Sequence, residues 1–396
     1  MNARKLACLT TAITGLAFGA AGAARAEDTP APAAAAAPAG PTPLTTPAMS
    51  SSLSSNADPL NADLGPLGKI WVSGQVTGFL DFQTAAPSNS AKRKGDVSNL
   101  QIEVQKTDGV FQFYVQAGLY NFPSLGTPIG TSPRITESTF KYVPVAYIKI
   151  VPNAAFNVEI GELPTLIGAE YTFTFQNLNI NRGLLWNQEP AISRGIQANY
   201  TQGPLTVSAS VNDGYFSEHY STLSGLVSYT VSPKDTVAFA ASGNIDKTSR
   251  STFVTPVAQN NGTIWNLLWT HTDGPWVINP YIQYSTTPKD NSLGLGSSAS
   301  TFGGAILAKY SFNPMFNLAG RAEYISSSGS QVALLYGTKS NAWSLTLTPT
   351  FQFKTYFVRG ELAYTKIESG TVGSEFGRFG NKSEQTRLTV ETGVLF

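Results

Sequence analysis

The chain has 396 residues, a formal net charge of +1 and 13% charged residues, against about 25% in a typical soluble domain. Apolar residues make up 42% and aromatic residues 11%. This balance excludes a highly charged disordered chain and argues against a basic protein that binds nucleic acid. Beyond the N-terminus no apolar run reaches the roughly 20 residues of a membrane-spanning helix, which argues against a helical membrane protein.

The first 26 residues have the pattern of a secretory signal peptide. Two basic residues precede an apolar stretch at 6–22, and an A-x-A cleavage site at 24–26 precedes Glu27. A single membrane anchor is the alternative, but the stretch is short and rich in Ala and Gly. We expect export, with Glu27 as the first mature residue. The only cysteine, Cys8, lies in this segment, so no disulfide is expected.

Residues 27–68 differ in composition from everything that follows. Alanine and proline give way to a serine-rich stretch at 50–55 and then to polar turns. Such a composition cannot bury a core and predicts a periplasmic spacer. A tether to the cell wall or an arm that binds a partner is the alternative.

From residue 69 to the C-terminus the dominant signal is an alternation of apolar and polar residues, which is typical of strands with one apolar face. The predicted strands are 69–83, 97–106, 110–120, 138–151, 154–162, 194–202, 204–212, 222–232, 235–245, 262–272, 275–285, 300–311, 315–327, 342–352, 354–367 and 384–396. Most are long enough for the roughly 9–11 residues with which a tilted strand crosses a bilayer.

The connections between these strands alternate between short and long. Tight turns such as Gln202-Gly203 and Asp273-Gly274 have hairpin chemistry, and longer loops lie between them. Outer-membrane barrels show this arrangement, with short periplasmic turns and long external loops. A soluble β-sandwich or propeller is the alternative, but neither would place long loops at alternate ends. The sequence therefore predicts an all-β, antiparallel transmembrane barrel of about 16 strands over residues 69–396.

The last residue, Phe396, ends the apolar stripe of the final predicted strand. It resembles the terminal signature by which outer-membrane proteins are recognised for assembly. Aromatic residues near strand ends would form the interfacial girdles. They include Trp71, Tyr284, Tyr310, Phe316, Tyr324, Phe351 and Tyr356.

Four short motifs resemble the second putative β-barrel porin family of Gram-negative outer-membrane proteins. They are G-E-L-P-T-L-I-G-A-E at 161–170, N-I-N-R at 179–182, R-A-E-Y at 321–324 and R-G-E at 359–361. The chain departs from the family at Glu162, where a basic residue would follow the glycine. The resemblance implies a diffusion channel for small solutes.

A barrel of about 16 strands leaves an aqueous channel unless something fills it. The connection 163–193 is the longest and the third external loop, so we expect it to fold inward and narrow the pore. The alternation places these charged residues on the lumen face: Glu103, Lys141, Lys149, Glu159, Lys309, Arg321, Glu323, Arg359, Glu361, Arg387 and Glu391. Solvated wall residues or structural pairs are one interpretation. The other is a transverse field that sets ion selectivity, with the arginines facing Glu162 and Glu170 in the loop. Arg182 would lie in the same region.

The sequence also bears on three functions other than a channel. An outer-membrane hydrolase needs a histidine beside a serine, but His219 and His271 fall at opposite ends of the predicted barrel and no G-x-S-x-G occurs, so no enzyme is expected. No cofactor or metal site is expected either. A non-conducting barrel for adhesion or envelope anchoring stays open as the alternative to a porin.

The expected partners are outer-membrane lipid, small hydrophilic solutes, the barrel assembly machinery and, with monomer and trimer left open, further copies of the chain. Nucleic acid is not among them.

Overall fold

The computed structural model describes residues 51–87, 90–329 and 335–396. The predicted signal peptide, and the predicted spacer as far as residue 50, lie outside the described residues.

The described chain is a single antiparallel sheet closed on itself. A short strand, β1 (Leu60–Asp63), precedes sixteen longer ones. These are β2 (Lys69–Gln83), β3 (Arg93–Lys106), β4 (Phe111–Tyr120), β5 (Val145–Asn153), β6 (Phe156–Pro164), β7 (Ile192–Gln202), β8 (Leu205–Asn212), β9 (Thr222–Ser232), β10 (Asp235–Asn244), β11 (Thr263–Asp273), β12 (Trp276–Thr287), β13 (Ala299–Asn313), β14 (Phe316–Gly329), β15 (Asn341–Phe353), β16 (Tyr356–Ser369) and β17 (Glu384–Leu395). Each of the sixteen pairs with its neighbours along the chain, and β17 pairs with β2. The predicted sixteen-stranded barrel is confirmed.

The alternation in the sequence separates the two faces of the wall. In β17, Arg387, Thr389 and Glu391 are buried inside the barrel, whereas Leu388 between them is exposed on the outside. Exposed apolar side chains on the outer face are what a strand in contact with lipid requires.

The fourth predicted strand, 138–151, begins too early. Residues 132–138 form a short helix, α1 (Ser132–Ser138), and β5 starts only at Val145. Pro133 suits the first turn of a helix, and Pro144 has no N–H to donate to a strand ladder. Lys141, predicted to line the lumen, is therefore outside the wall, exposed and at a φ of 63°.

Two segments complete the seam where the barrel closes. The backbone N–H and C=O of Phe396 pair with those of Gly74, both at 2.9 Å. Beyond that point β1 takes over as the partner of β2, with Leu60 opposite Val72 and Asp63 opposite Lys69. The edge of β2 is thus covered past the end of β17. Trp71, predicted as a girdle residue, is buried and lies in this part of the seam.

Candidate functional site

The third external loop, 165–191, which we call loop 3, lies inside the barrel. It follows loop 1 (84–92) and loop 2 (121–144), joins β6 to β7, and is the longest connection between strands. Its apolar side chains share one buried cluster with inward-facing residues of the wall. Leu178, Leu184 and Leu185 from the loop, and Ala240 and Ala319 from strands, are each at most 2% exposed. Small wall residues leave the space that the leucines fill, so the inward fold follows from packing.

On β14, Arg321 and Glu323 stand two residues apart and therefore on the same face. Arg321 Nη1 is 2.7 Å from Glu170 Oε1 and also donates to the backbone oxygen of Asn181 at 2.9 Å. Glu323 Oε2 accepts from the backbone N–H of Leu184 at 2.7 Å. The arginine thus satisfies a loop carbonyl and the glutamate a loop amide, groups that would be costly to bury unpaired.

The pair Arg359 and Glu361 on β16 repeats this arrangement. Arg359 donates to the backbone oxygens of Thr174 at 2.6 Å and Asn177 at 3.0 Å. Glu361 accepts from the backbone N–H groups of Ile180 and Asn181. Two neighbouring R-x-E motifs therefore bind successive parts of one loop backbone.

On β17, Glu391 completes the arrangement, since its carboxylate is paired with Arg359 at 2.6 Å. Arg387 donates to the Asn181 side chain at 3.0 Å and to the Ser124 backbone of loop 2 at 2.9 Å. Its Nε is 3.9 Å from Asp81 on β2. Arg387 thus links loops 2 and 3 to the wall.

Within loop 3, Arg182 and Glu170 bind the loop's own backbone. Arg182 donates to the oxygens of Thr172, at 2.9 Å, and Ile180. Burial lowers the pKa of its guanidinium to about 10. Glu170 accepts from the N–H of Gly183 at 2.9 Å. A Cβ at Gly183 would lie 2.5 Å from Glu323, so this close approach needs glycine.

Glu162 is the one predicted constriction residue that the structure places elsewhere. It lies opposite Arg194 in the register of β6 and β7, on the strand face that carries exposed Ile160. Arg194 is in turn 2.9 Å from Asp213. Glu162 therefore belongs to the outer face near the external rim, away from the inner group.

The other predicted wall and loop residues come together, but they are buried. Arg182, Arg321, Glu323, Arg359, Glu361, Arg387 and Glu391 are between 0% and 5% exposed, and Glu170 is 3% exposed. Arg321, Arg359 and Arg387 have acidic partners within 4 Å. Arg182 and Glu361 bind loop backbone instead. This geometry favours the structural interpretation of these residues over a field exposed to passing ions.

A separate cavity of about 430 Å³ lies between loop 3 and the external loops around it. Its lining is largely aromatic and aliphatic, with Phe122 and Trp186 rings 5.6 Å apart. Among the described residues that line the cavity, Arg134 alone is basic, and it is exposed. The cavity gives the barrel an apolar vestibule on the side of the long loops.

Sequence reasoning missed several residues of this site. Asp81 continues the inward alternation of β2 and could have been found by that signal. Ser124 lies in a loop whose inward course no periodicity reveals. Glu189 lies in loop 3, where no alternation separates buried from exposed side chains, and it is buried.

Among the described residues no group of three or more His, Cys, Asp or Glu is placed to hold a metal ion. In the same part of the chain no helix is long and apolar enough to cross a membrane.

Comparison with known proteins agrees with this architecture. The family model described as "Putative beta-barrel porin-2, OmpL-like" matches residues 69–396. No curated protein matches the chain.

Solved structures share the fold at low sequence identity. OmpT of Vibrio cholerae, folded in vitro, is 12% identical with a TM-score of 0.57, and the match covers 86% of this chain and 100% of OmpT. An anion-selective porin from Comamonas acidovorans is 12% identical with a TM-score of 0.55 over 83% of this chain and 99% of its own. The outer-membrane channel DcaP of Acinetobacter baumannii is 10% identical with a TM-score of 0.56 over 85% and 100%.

Proposed function

Because the chain belongs to the putative β-barrel porin-2, OmpL-like family of outer-membrane barrels, we propose that it is a passive diffusion channel for small hydrophilic solutes and ions. The observation that carries this proposal is loop 3 inside a closed barrel of sixteen strands. A wall of that size encloses a wide lumen, and an inward loop narrows it. Loop 3 therefore narrows the path of a solute through the barrel.

The paired charges give the channel a modest ion preference. Arg321, Arg359 and Arg387 have acidic neighbours within 4 Å, so their fields largely cancel. Arg134, which lines the vestibule and has an exposed side chain, would act more strongly on a passing ion. The apolar vestibule between the external loops is the entrance.

Single-channel conductance in a planar bilayer tests the proposal. We expect discrete current steps, and a larger step after deletion of 171–185, because that part of loop 3 occupies the lumen. Deletion of 291–294, an exposed part of the connection between β12 and β13, is the matched control and should leave the step unchanged.

A second variant guards against misfolding of the deletion. Leu178→Ala with Leu184→Ala keeps the loop's length but weakens its packing, and it should also enlarge the step. If neither loop 3 variant changes the current of a folded barrel, the narrowing element lies elsewhere.

A non-conducting barrel for adhesion or envelope anchoring is the second candidate. The near-complete burial of the wall arginines and of loop 3 supports this candidate, because a barrel that serves adhesion or anchoring does not need an open lumen. Absence of current from the folded protein and from both loop 3 variants would select this candidate.

The proposal includes outer-membrane lipid and the barrel assembly machinery as partners, with export by the N-terminal signal. Oligomer formation is also proposed, since one of the similar structures is described as a trimer form of OmpT. No catalysis is proposed. His271 Nδ1 is 2.8 Å from Asp235, and His219 Nε2 is 3.7 Å from Asp246 in an external loop, so each histidine is next to an aspartate.

A further inference from the structure

Residues 51–54, just before β1, lie inside the end of the barrel that carries the short turns. Ser51 Oγ donates to the backbone oxygen of Phe175 at 2.6 Å, and Ser52 Oγ donates to that of Leu178 at 2.8 Å. Both acceptors belong to loop 3. The segment therefore meets loop 3 within the lumen, although its composition predicted only a spacer.

Three wall strands bind the same segment. Lys309 Nζ on β13 donates to the Ser51 oxygen at 3.0 Å, and Asn317 Nδ2 on β14 donates to the Ser52 oxygen at 2.9 Å. Gln352 on β15 pairs with both backbone groups of Ser54, each at 2.8 Å.

Leu53 provides the apolar contacts of residues 51–54. It is 7% exposed and belongs to a small apolar cluster with Phe357, Leu395 and the loop 3 residue Phe175. These residues lie close to the short turn 354–355 and to the C-terminus, so the cluster marks the periplasmic mouth. Residues 51–54 thus contact β13 to β17 and loop 3 together.

We propose that residues 51–54 form a plug in the periplasmic mouth, which limits the current until it is displaced. The inference rests on the proposed channel function. Small serine side chains suit a narrow lumen, and one leucine anchors them. Because β1 is paired with β2 at the rim, a displaced plug stays close to its site and can return without dissociating from the barrel.

Displacement also changes the charge at the mouth. Lys309 has no carboxylate within 4 Å among the described residues, and the Ser51 oxygen is a neutral partner. Without the plug its ammonium faces the lumen uncovered, and an uncovered cation attracts anions. The open channel is therefore more anion-selective than the plugged one.

A reversible crosslink tests the contact in the full chain. Cys8→Ser removes the only native thiol. Asn317 donates to the backbone oxygen of Ser52, so Ser52→Cys and Asn317→Cys place two thiols on neighbouring residues, where a reducible bis-maleimide can join them. We expect a small current from the crosslinked channel and a several-fold larger one after reduction. The matched control carries Ser52→Cys alone, treated identically, and should not change on reduction.

Deletion of 51–54 and the milder Leu53→Ser are independent variants. Both should raise the conductance and move the reversal potential in a salt gradient toward that of anions. Addition of Lys309→Gln should cancel the shift in reversal potential but not the rise in conductance. Equal currents from all forms of the folded barrel would overturn the plug and leave the channel proposal standing. No current from any form would overturn both.

Discussion

Arg359 and Glu391 face each other directly across β16 and β17, with Nε and Oε2 2.7 Å apart. The two residues are 1% and 0% exposed. The arginine also donates to two loop 3 carbonyls, and Thr174 Oγ1 donates to the glutamate at 2.6 Å. This one pair joins the barrel wall to the loop that fills it.

Arg359→Met should strongly destabilise the barrel. The substitution leaves the buried Glu391 carboxylate without its counter-ion and two loop carbonyls without a donor. Breaking a buried pair in this way lowers the free energy of unfolding by about 3–5 kcal/mol. Denaturant unfolding of the refolded protein measures it. Adding Glu391→Met should recover part of the loss, because the charge is removed as well. Arg93→Met, at an exposed position, is the control. A single variant as stable as the control would contradict the role of the pair.

Glu162→Gln and Glu170→Gln should differ in their effect on the ion selectivity of the channel. Glu170 is paired with Arg321 inside the barrel, so Glu170→Gln leaves that arginine with Glu323 as its acidic partner and should shift selectivity toward anions. Glu162 lies on the outer face, where its charge is distant from the lumen. Reversal potentials of the two variants in the same salt gradient provide the comparison. A larger shift from Glu162→Gln would contradict the placement of Glu162 on the outer face, away from the path of the ions.

Gly74→Ala should lower the yield of folded barrel. A Cβ at Gly74 would lie 2.5 Å from the Phe396 ring and 2.7 Å from the Gln101 oxygen, so the closing seam would have to move. Gly78→Ala in the same strand meets nothing nearer than 3.4 Å and is the matched control. Deletion of Phe396 should resemble Gly74→Ala. Heat-modifiable migration in detergent gels measures the folded fraction, and equal fractions for the two alanine variants would refute the prediction.

Glu189→Gln should stabilise the protein at neutral and alkaline pH. Both carboxyl oxygens are buried without a hydrogen bond of good geometry, although Tyr281 lies beside them. Burial, reinforced by Glu170 and Glu323, raises the pKa of Glu189 well above its ordinary 4.5. Above pH 4.5 the unfolded chain releases this proton while the folded one keeps it, so stability falls as pH rises toward the folded pKa.

The unfolding midpoints of the wild type and Glu189→Gln at pH 5 and pH 8 should therefore diverge with increasing pH. Asn187→Asp in the same loop adds a carboxyl and serves as the opposite control. A constant difference between the two midpoints would mean that folding does not raise the pKa of Glu189.

The mature chain should begin at Glu27. The A-x-A site at 24–26 follows an apolar stretch of signal-peptide length. N-terminal sequencing of the protein from outer-membrane fractions is the measurement, with Ala24→Leu and Ala26→Leu together as the variant that should block cleavage. An intact Met1 terminus in the wild-type outer membrane would contradict it.

Periodicity was sufficient to predict the wall. All sixteen strands occur where alternation placed them, and β2 and β9 have the predicted bounds. The pattern failed at 138–144, where Phe140 and Tyr142 alternate with polar residues by chance. Ser132-Pro133 was the available sign of a helix start there.

The interior was harder to predict because its contacts are non-local. Alternation showed that Arg321 and Arg359 face inward, but not that they would be covered by backbone atoms of loop 3. Alternation could have placed Glu162 on the outer face, because strand β6 continues through it to Pro164 and Glu159, three residues earlier, faces the lumen. The docking of Ser51–Ser54 depends on groups more than 120 residues away, which composition does not reveal.

The wall binds loop 3 through main-chain atoms at 174, 177, 180, 181 and 184. Every amino acid has a carbonyl, and all but proline have an N–H, so these bonds survive a change of side chain. Descendants of one ancestral gene can therefore exchange the side chains of this loop while its path through the barrel is preserved. The set of solutes that each descendant admits can then change without a change in the barrel. Protein engineers can likewise substitute side chains of loop 3 without redesigning its path.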